Sequence, residues 1–142
     1  MREIVAKMKS NRKPVSLRRK MKHKLWFNNT QNFAYMQLVG ELSMDDIERL
    51  FSVLIEVFTA KNRHYLLIDV RLSQGLLSQK EIRNSFRERS LDVGLDRIAV
   101  LGASHANRMT LKILLSVLGK TNVSRFCSTE REALTWLKES SR

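Results

Sequence analysis

A serine two residues after a glycine and four residues before an arginine can bind an anion, and Gly102, Ser104 and Arg108 stand in that relation. A strand ending at Gly102 lets the backbone approach a ligand closely, and a helix starting at Ser104 offers free N–H groups. Arg108, one turn along, could complete a phosphate or carboxylate pocket at the carboxyl edge of a sheet. The same residues also describe a capped helix start with a solvated arginine. Other strings carry less chemistry. Gly102-Ala103-Ser104-His105-Ala106 has the serine of a nucleophile elbow but lacks its last glycine. Gly119-Lys120-Thr121 ends like a phosphate-binding loop, yet Leu114 occupies the position of the first glycine. Cys127 and Arg131 are spaced too closely for a cysteine-based phosphatase loop, so Cys127 reads as a small buried group. His23, His64 and His105 are scattered, with no second ligand at metal spacing. No catalytic residue, metal or cofactor is assigned, and the expectation is a protein that is not an enzyme.

Hydrophobic periodicity supplies the frame that would position these residues. Residues 25–28 and 33–39 read as two strands joined by Asn28, Asn29, Thr30, Gln31 and Asn32, an antiparallel hairpin. Ser43 then caps a helix with Asp45 and Asp46 in its first turn, and Ile47, Leu50, Phe51, Leu54, Val57 and Phe58 follow at helical spacing to about Lys61. Residues 65–70 form a short apolar run that suits a central strand covered on both faces. Ser78 with Glu81 makes a capping box, and Ile82 and Phe86 give the next helix a narrow apolar stripe beside Arg83, Arg87 and Arg89. Residues 97–101 are another buried strand, followed by a helix from Ser104 through Leu118 that Gly119 closes. Residues 123–127 are the last strand, Thr129 and Glu132 form a second capping box, and Ala133, Leu134 and Leu137 set the last helix against the sheet. The order β-β-α-β-α-β-α-β-α predicts an α/β fold with a mixed, largely parallel sheet and right-handed crossovers.

The chain is 142 residues long and 43% hydrophobic, which suits one domain with a real core. Its net charge of +12 is unevenly placed. Ten of the 26 basic residues and only one of the 14 acids fall within residues 1–24, so that stretch carries +9 and the remaining 118 residues only +3. With Pro14 and little apolar surface, residues 1–24 read as a basic, mobile arm, and residues 25–142 as the domain. Met21 offers an alternative start. The arm suits a tether to an anionic membrane, a tether to nucleic acid, or a solvated extension, with membrane or no partner favoured over nucleic acid. The lone Cys127 cannot form an internal disulfide, and neither a secretory signal nor a spanning run of about 18 apolar residues is present, which points to the cytoplasm. Residues 109–118 are apolar around most of the helix, which suits a homodimer contact, an acyl-chain cleft, or burial under a neighbouring helix. Trp26 and Trp136 read as core or rim anchors.

Three strings carry a family resemblance: YLLIDV at 65–70, DRIAVLGASHANRMTLKILL at 96–115, and RFCSTEREALTWLK at 125–138. They resemble the STAS domain of sulphate-transporter tails and anti-sigma-factor antagonists, in particular its SpoIIAA-like, Sec14-like branch, over roughly residues 22–142. The resemblance implies a non-enzymatic regulatory role through a protein partner or a small anionic or lipid ligand, and it favours the site at Gly102, Ser104 and Arg108. It also implies a phosphorylation candidate. Anti-sigma antagonists phosphorylate a serine nine residues after the aspartate that ends the preceding strand, and counting from Asp69 reaches Ser78. Leu77 stands where the family's acid precedes that serine, so a plain helix cap is the competing reading. The alternative function is a basic-tailed nucleic-acid-associated protein whose α/β body dimerises.

Overall fold

The computed structural model describes residues 21–75, 77 and 79–139. Within the stretch read as the basic arm, Met21 packs against the core, His23 is buried, and Lys24 opens the first strand. Residues 1–20 lie outside the described part.

β1 (Lys24–Asn28) and β2 (Phe33–Gly40) pair antiparallel because the chain between them turns tightly. The Asn28 side chain accepts from the Gln31 N–H at 2.9 Å, and Asn32 adopts a φ of 60°, which asparagine tolerates. Ser43 caps α1 (Met44–Phe58) in a complete capping box: its hydroxyl accepts from the Asp46 N–H, and the Asp46 carboxylate accepts from the Ser43 N–H. β3 (Tyr65–Ser73) is buried from Tyr65 to Val70 and lies at the centre of the sheet, as its unbroken apolar run predicts. α2 (Lys80–Val93) starts later than the Ser78–Glu81 pattern suggests. Its N-cap position is Gln79, without a side-chain cap bond, and Ser78 lies outside the described residues. Leu77 is buried instead, and its carbonyl accepts from Arg83 Nη1.

β4 (Arg97–Leu101), α3 (His105–Val117), a 3₁₀ turn (Thr121–Val123), β5 (Ser124–Cys127) and α4 (Glu130–Lys138) complete the chain. The second capping box is altered. Thr129 Oγ1 accepts from the Glu132 N–H, but the Glu132 carboxylate reaches back to the Ser128 N–H.

The strands run β1-β2-β3-β4-β5 across the sheet, and β2 to β5 are parallel. Right-handed crossovers that always step in one direction place their helices on one face. α1, α2 and α3 therefore share a core with Leu25, Met36, Leu66, Ile68, Ile98 and Val100. Among the described residues α4 alone lies on the far face, where Ala133 and Leu137 pack with Tyr35, Leu67, Ala99 and Leu101.

Candidate functional site

In an open parallel sheet, ligands meet the carboxyl edge of the strands. Here β3 carries an irregularity just before that edge. Gln37 pairs with Asp69 but Val39 pairs with Leu72, so β3 holds one extra residue between them. Such a bulge re-aims side chains. Arg71 folds back over its own strand, donating to Asp69 through Nε (3.0 Å), Nη2 (2.8 Å) and its backbone N–H (3.1 Å).

Asp69 is fully buried and also accepts from the Tyr35 hydroxyl at 2.9 Å. Burial alone would raise the Asp69 carboxyl, but the bonds from Arg71 and Tyr35 outweigh it and hold the group below its ordinary value. Burial and the bond to Asp69 push the Tyr35 hydroxyl up, and the same carboxylate strengthens the hold of Arg71 on its proton. The Arg71 side chain is about half exposed and reaches within 3.9 Å of Glu130, the first residue of α4. Along the way it crosses Gly102, whose φ of +75° and close contact with Arg71 leave no room for a side chain.

Gly102, Ser104 and Arg108 lie in the junction between β4 and α3, at this edge. Gly102 follows the last residue of β4 and bonds the Cys127 carbonyl through its N–H. Ser104 caps α3 by accepting from the Asn107 N–H at 3.2 Å. Buried Asn107 in turn donates to Ser73 Oγ and ties α3 to the end of β3. Arg108 is exposed, with its guanidinium 5.2 Å from the centre of the Phe126 ring. The edge thus combines the N-termini of α3 and α4 with two arginines, of which Arg71 is held by Asp69. Tyr35 and Arg71 have no place in the sequence reading, where Asp69 serves only as the end of a strand. The available signal was Asp69 itself, a lone acid inside an otherwise apolar strand.

Other chemically capable side chains have fixed partners. Cys127 is buried, and desolvation, with Glu132 nearby, pushes its thiol up to about 11. Among the described residues no cluster of three metal-ligating side chains occurs. Trp26 stacks flat on Tyr35 with centroids 4.3 Å apart, as a rim anchor. Between α2 and α3 lies an apolar cavity of about 80 Å³ lined by Phe86, Leu91, Leu95, Leu111 and Leu115, small beside the roughly 300 to 1,000 Å³ of ligand pockets. Met109, Ile113 and Val117 remain exposed on the outer side of α3.

His23 joins three elements at the same edge. The Val39 N–H donates to its Nδ1 at 3.0 Å, so Nε2 carries the proton and donates to Asp46 Oδ2 at 3.0 Å. The ring is therefore neutral. Burial lowers its pKa below 6.5, Lys22 adds to that, and Asp46 opposes it only in part. The unfolded chain consequently binds the proton first, and stability held above about pH 6.5 is lost as pH falls toward the folded value. Urea unfolding at pH 7.5 and pH 5 is expected to show this loss. His23→Gln should shrink it, and an equal loss in both proteins would show that His23 does not control it.

Comparison with known proteins agrees with this fold. A family model described as SpoIIAA-like matches residues 33–138. Among solved structures, an uncharacterized protein of the DUF3478 family with a SpoIIAA-like fold, from Shewanella loihica PV-4, is similar with a TM-score of 0.64 and 18% identity. The match covers 84% of this chain and 98% of that one. At that identity the likeness concerns the fold alone. No curated protein matches the chain.

Proposed function

Because the chain belongs to the SpoIIAA-like family, we propose that it is a non-enzymatic interaction domain whose carboxyl edge receives an anionic group, from a small ligand, a lipid headgroup or a regulatory protein partner. One observation carries this reading: the N-termini of α3 and α4 both open at this edge, with Arg71 crossing Gly102 toward Glu130 and Arg108 exposed one turn into α3. Arg71 is neutralised by Asp69, so Arg108 and the first turn of α3 supply the free positive potential. The engagement of Asp69 and the raised thiol of Cys127 support a role in binding rather than catalysis. No helix among the described residues is long and apolar enough to cross a membrane, and a peripheral, cytoplasmic setting fits the proposal.

The test compares binding of inorganic phosphate and of phosphatidylserine vesicles by the full chain and by Arg108→Ala. Arg108→Ala is expected to weaken binding about tenfold, the effect of one charge-assisted contact. Loss for both probes identifies a phosphate site, and loss for vesicles alone identifies a lipid surface. Unchanged binding of both removes Arg108 and this edge from the function.

A further inference from the structure

The amino edge of the far face lies at the other end of the sheet and gathers three arginines that the carboxyl edge does not use. Arg63 lies two residues before β3, Arg97 is the first residue of β4, and Arg125 is the second residue of β5. Each guanidinium lies over an aromatic ring: Arg63 over Tyr65 at 4.5 Å, and Arg97 and Arg125 over the one indole of Trp136 at 3.8 and 4.7 Å. The indole is fixed, since its Nε1–H donates to the Ile98 carbonyl and its own backbone carbonyl accepts from Arg97 Nη1.

Among the described residues none of these three arginines has an ion-pair partner, whereas Arg49 pairs with Asp45, Arg71 with Asp69 and Glu130, and Arg89 with Glu48 and Asp92. Asp96, one residue before Arg97, spends its carboxylate on the His64 N–H. Arg63 Nε is buried without an acceptor. A guanidinium stacked on a ring keeps its in-plane donors and gives up little further freedom when it meets an anion.

The three charges step obliquely across three neighbouring strands about 5 Å apart: Arg63 precedes Tyr65, Tyr65 pairs with Arg97, and Arg125 lies opposite Ala99, two residues further along. They form a row, and a row suits a linear polyanion better than a single phosphate. A bilayer presents anions as well, but it spreads them over a plane, whereas these guanidiniums stand in a row over buried Tyr65 and the Trp136 indole.

We propose that this amino edge is a second binding surface, distinct from the carboxyl-edge site, which holds the phosphodiester backbone of a nucleic acid without reading its sequence. The experiment is fluorescence anisotropy of a labelled 20-nucleotide single strand with the full chain between 50 and 300 mM salt. The double variant Arg63→Gln with Arg125→Gln is expected to raise Kd about tenfold near 100 mM salt. It should also make the slope of log K against log salt shallower by about one to two. Arg63→Lys with Arg125→Lys should recover most of that slope, and Lys112→Gln, on the exposed side of α3, should stay within about twofold of the wild type. If circular dichroism shows the double glutamine variant unfolded, Arg125→Glu alone, at an exposed position, serves in its place with the same expectation. Unchanged affinity and slope, an equal loss in Lys112→Gln, or a loss seen only with phosphatidylserine vesicles would overturn the proposal.

Discussion

Asp69→Ala is expected to lower the unfolding free energy by about 2 to 4 kcal/mol in urea at pH 7, because the carboxylate is the acceptor on which three groups depend. It is fully buried, and without it the Tyr35 hydroxyl and the Arg71 backbone N–H lose their acceptor inside the fold. The Arg71 guanidinium is half exposed and can turn to water, which keeps the loss below that of a fully buried ion pair. The pH dependence should change as well. Asp69 is held below its ordinary value of 3.8, so its contribution is present above that pH and is lost as pH falls through the folded value. The wild type should lose this part of its stability on acidification, and Asp69→Ala should not. A loss under about 1 kcal/mol at pH 7 would mean that water replaces the carboxylate.

Gly102→Ala is expected to cost about 2 to 3 kcal/mol by two additive routes. The φ of +75° strains any residue with a Cβ. The new methyl would also collide with Arg71 Cγ and stand within 3.2 Å of Cδ and 3.3 Å of Cβ, forcing the arginine off the strand end. Displacing Arg71 breaks its bonds to Asp69, so Gly102→Ala and Asp69→Ala should not add. A double-mutant cycle by urea unfolding is expected to give a coupling of about 1 kcal/mol or more. Strict additivity would show that Arg71 stays in place and that backbone strain is the whole effect.

The strands at 97–101 and 65–70 and the caps at Ser43 and Ser104 were legible in the sequence because local signals agree there: short apolar runs bounded by turn residues, and a hydroxyl just before a helical stripe. The start of α2 was less legible. Ser78 and Glu81 have the spacing of a capping box, but burial of Leu77 and its bond from Arg83 belong to tertiary packing, which outweighs a local pattern. The candidate site was legible only by half. Gly102, Ser104 and Arg108 follow from a strand-glycine-helix junction, whereas Arg71 reaches it through an extra residue in β3 that no local motif announces. His23 was hidden by composition. It sits among basic residues, and its burial depends on Val39 and Asp46, both more than a dozen positions away.

The order in which the strands lie has a consequence for how the molecule is made. Every strand pairs with the one that precedes it in the chain, so no strand must be inserted between two that are already joined. A chain leaving the ribosome can therefore extend the sheet at one growing edge, each new strand arriving with the helix that covers it, and each loop that must close is short. α4 is the exception, since it folds back across β4 and β5 on the side the other helices leave bare. The piece that seals the far face is thus made after the strands it covers, and a chain stopped before Glu130 would leave Leu67, Ala99 and Leu101 without that cover.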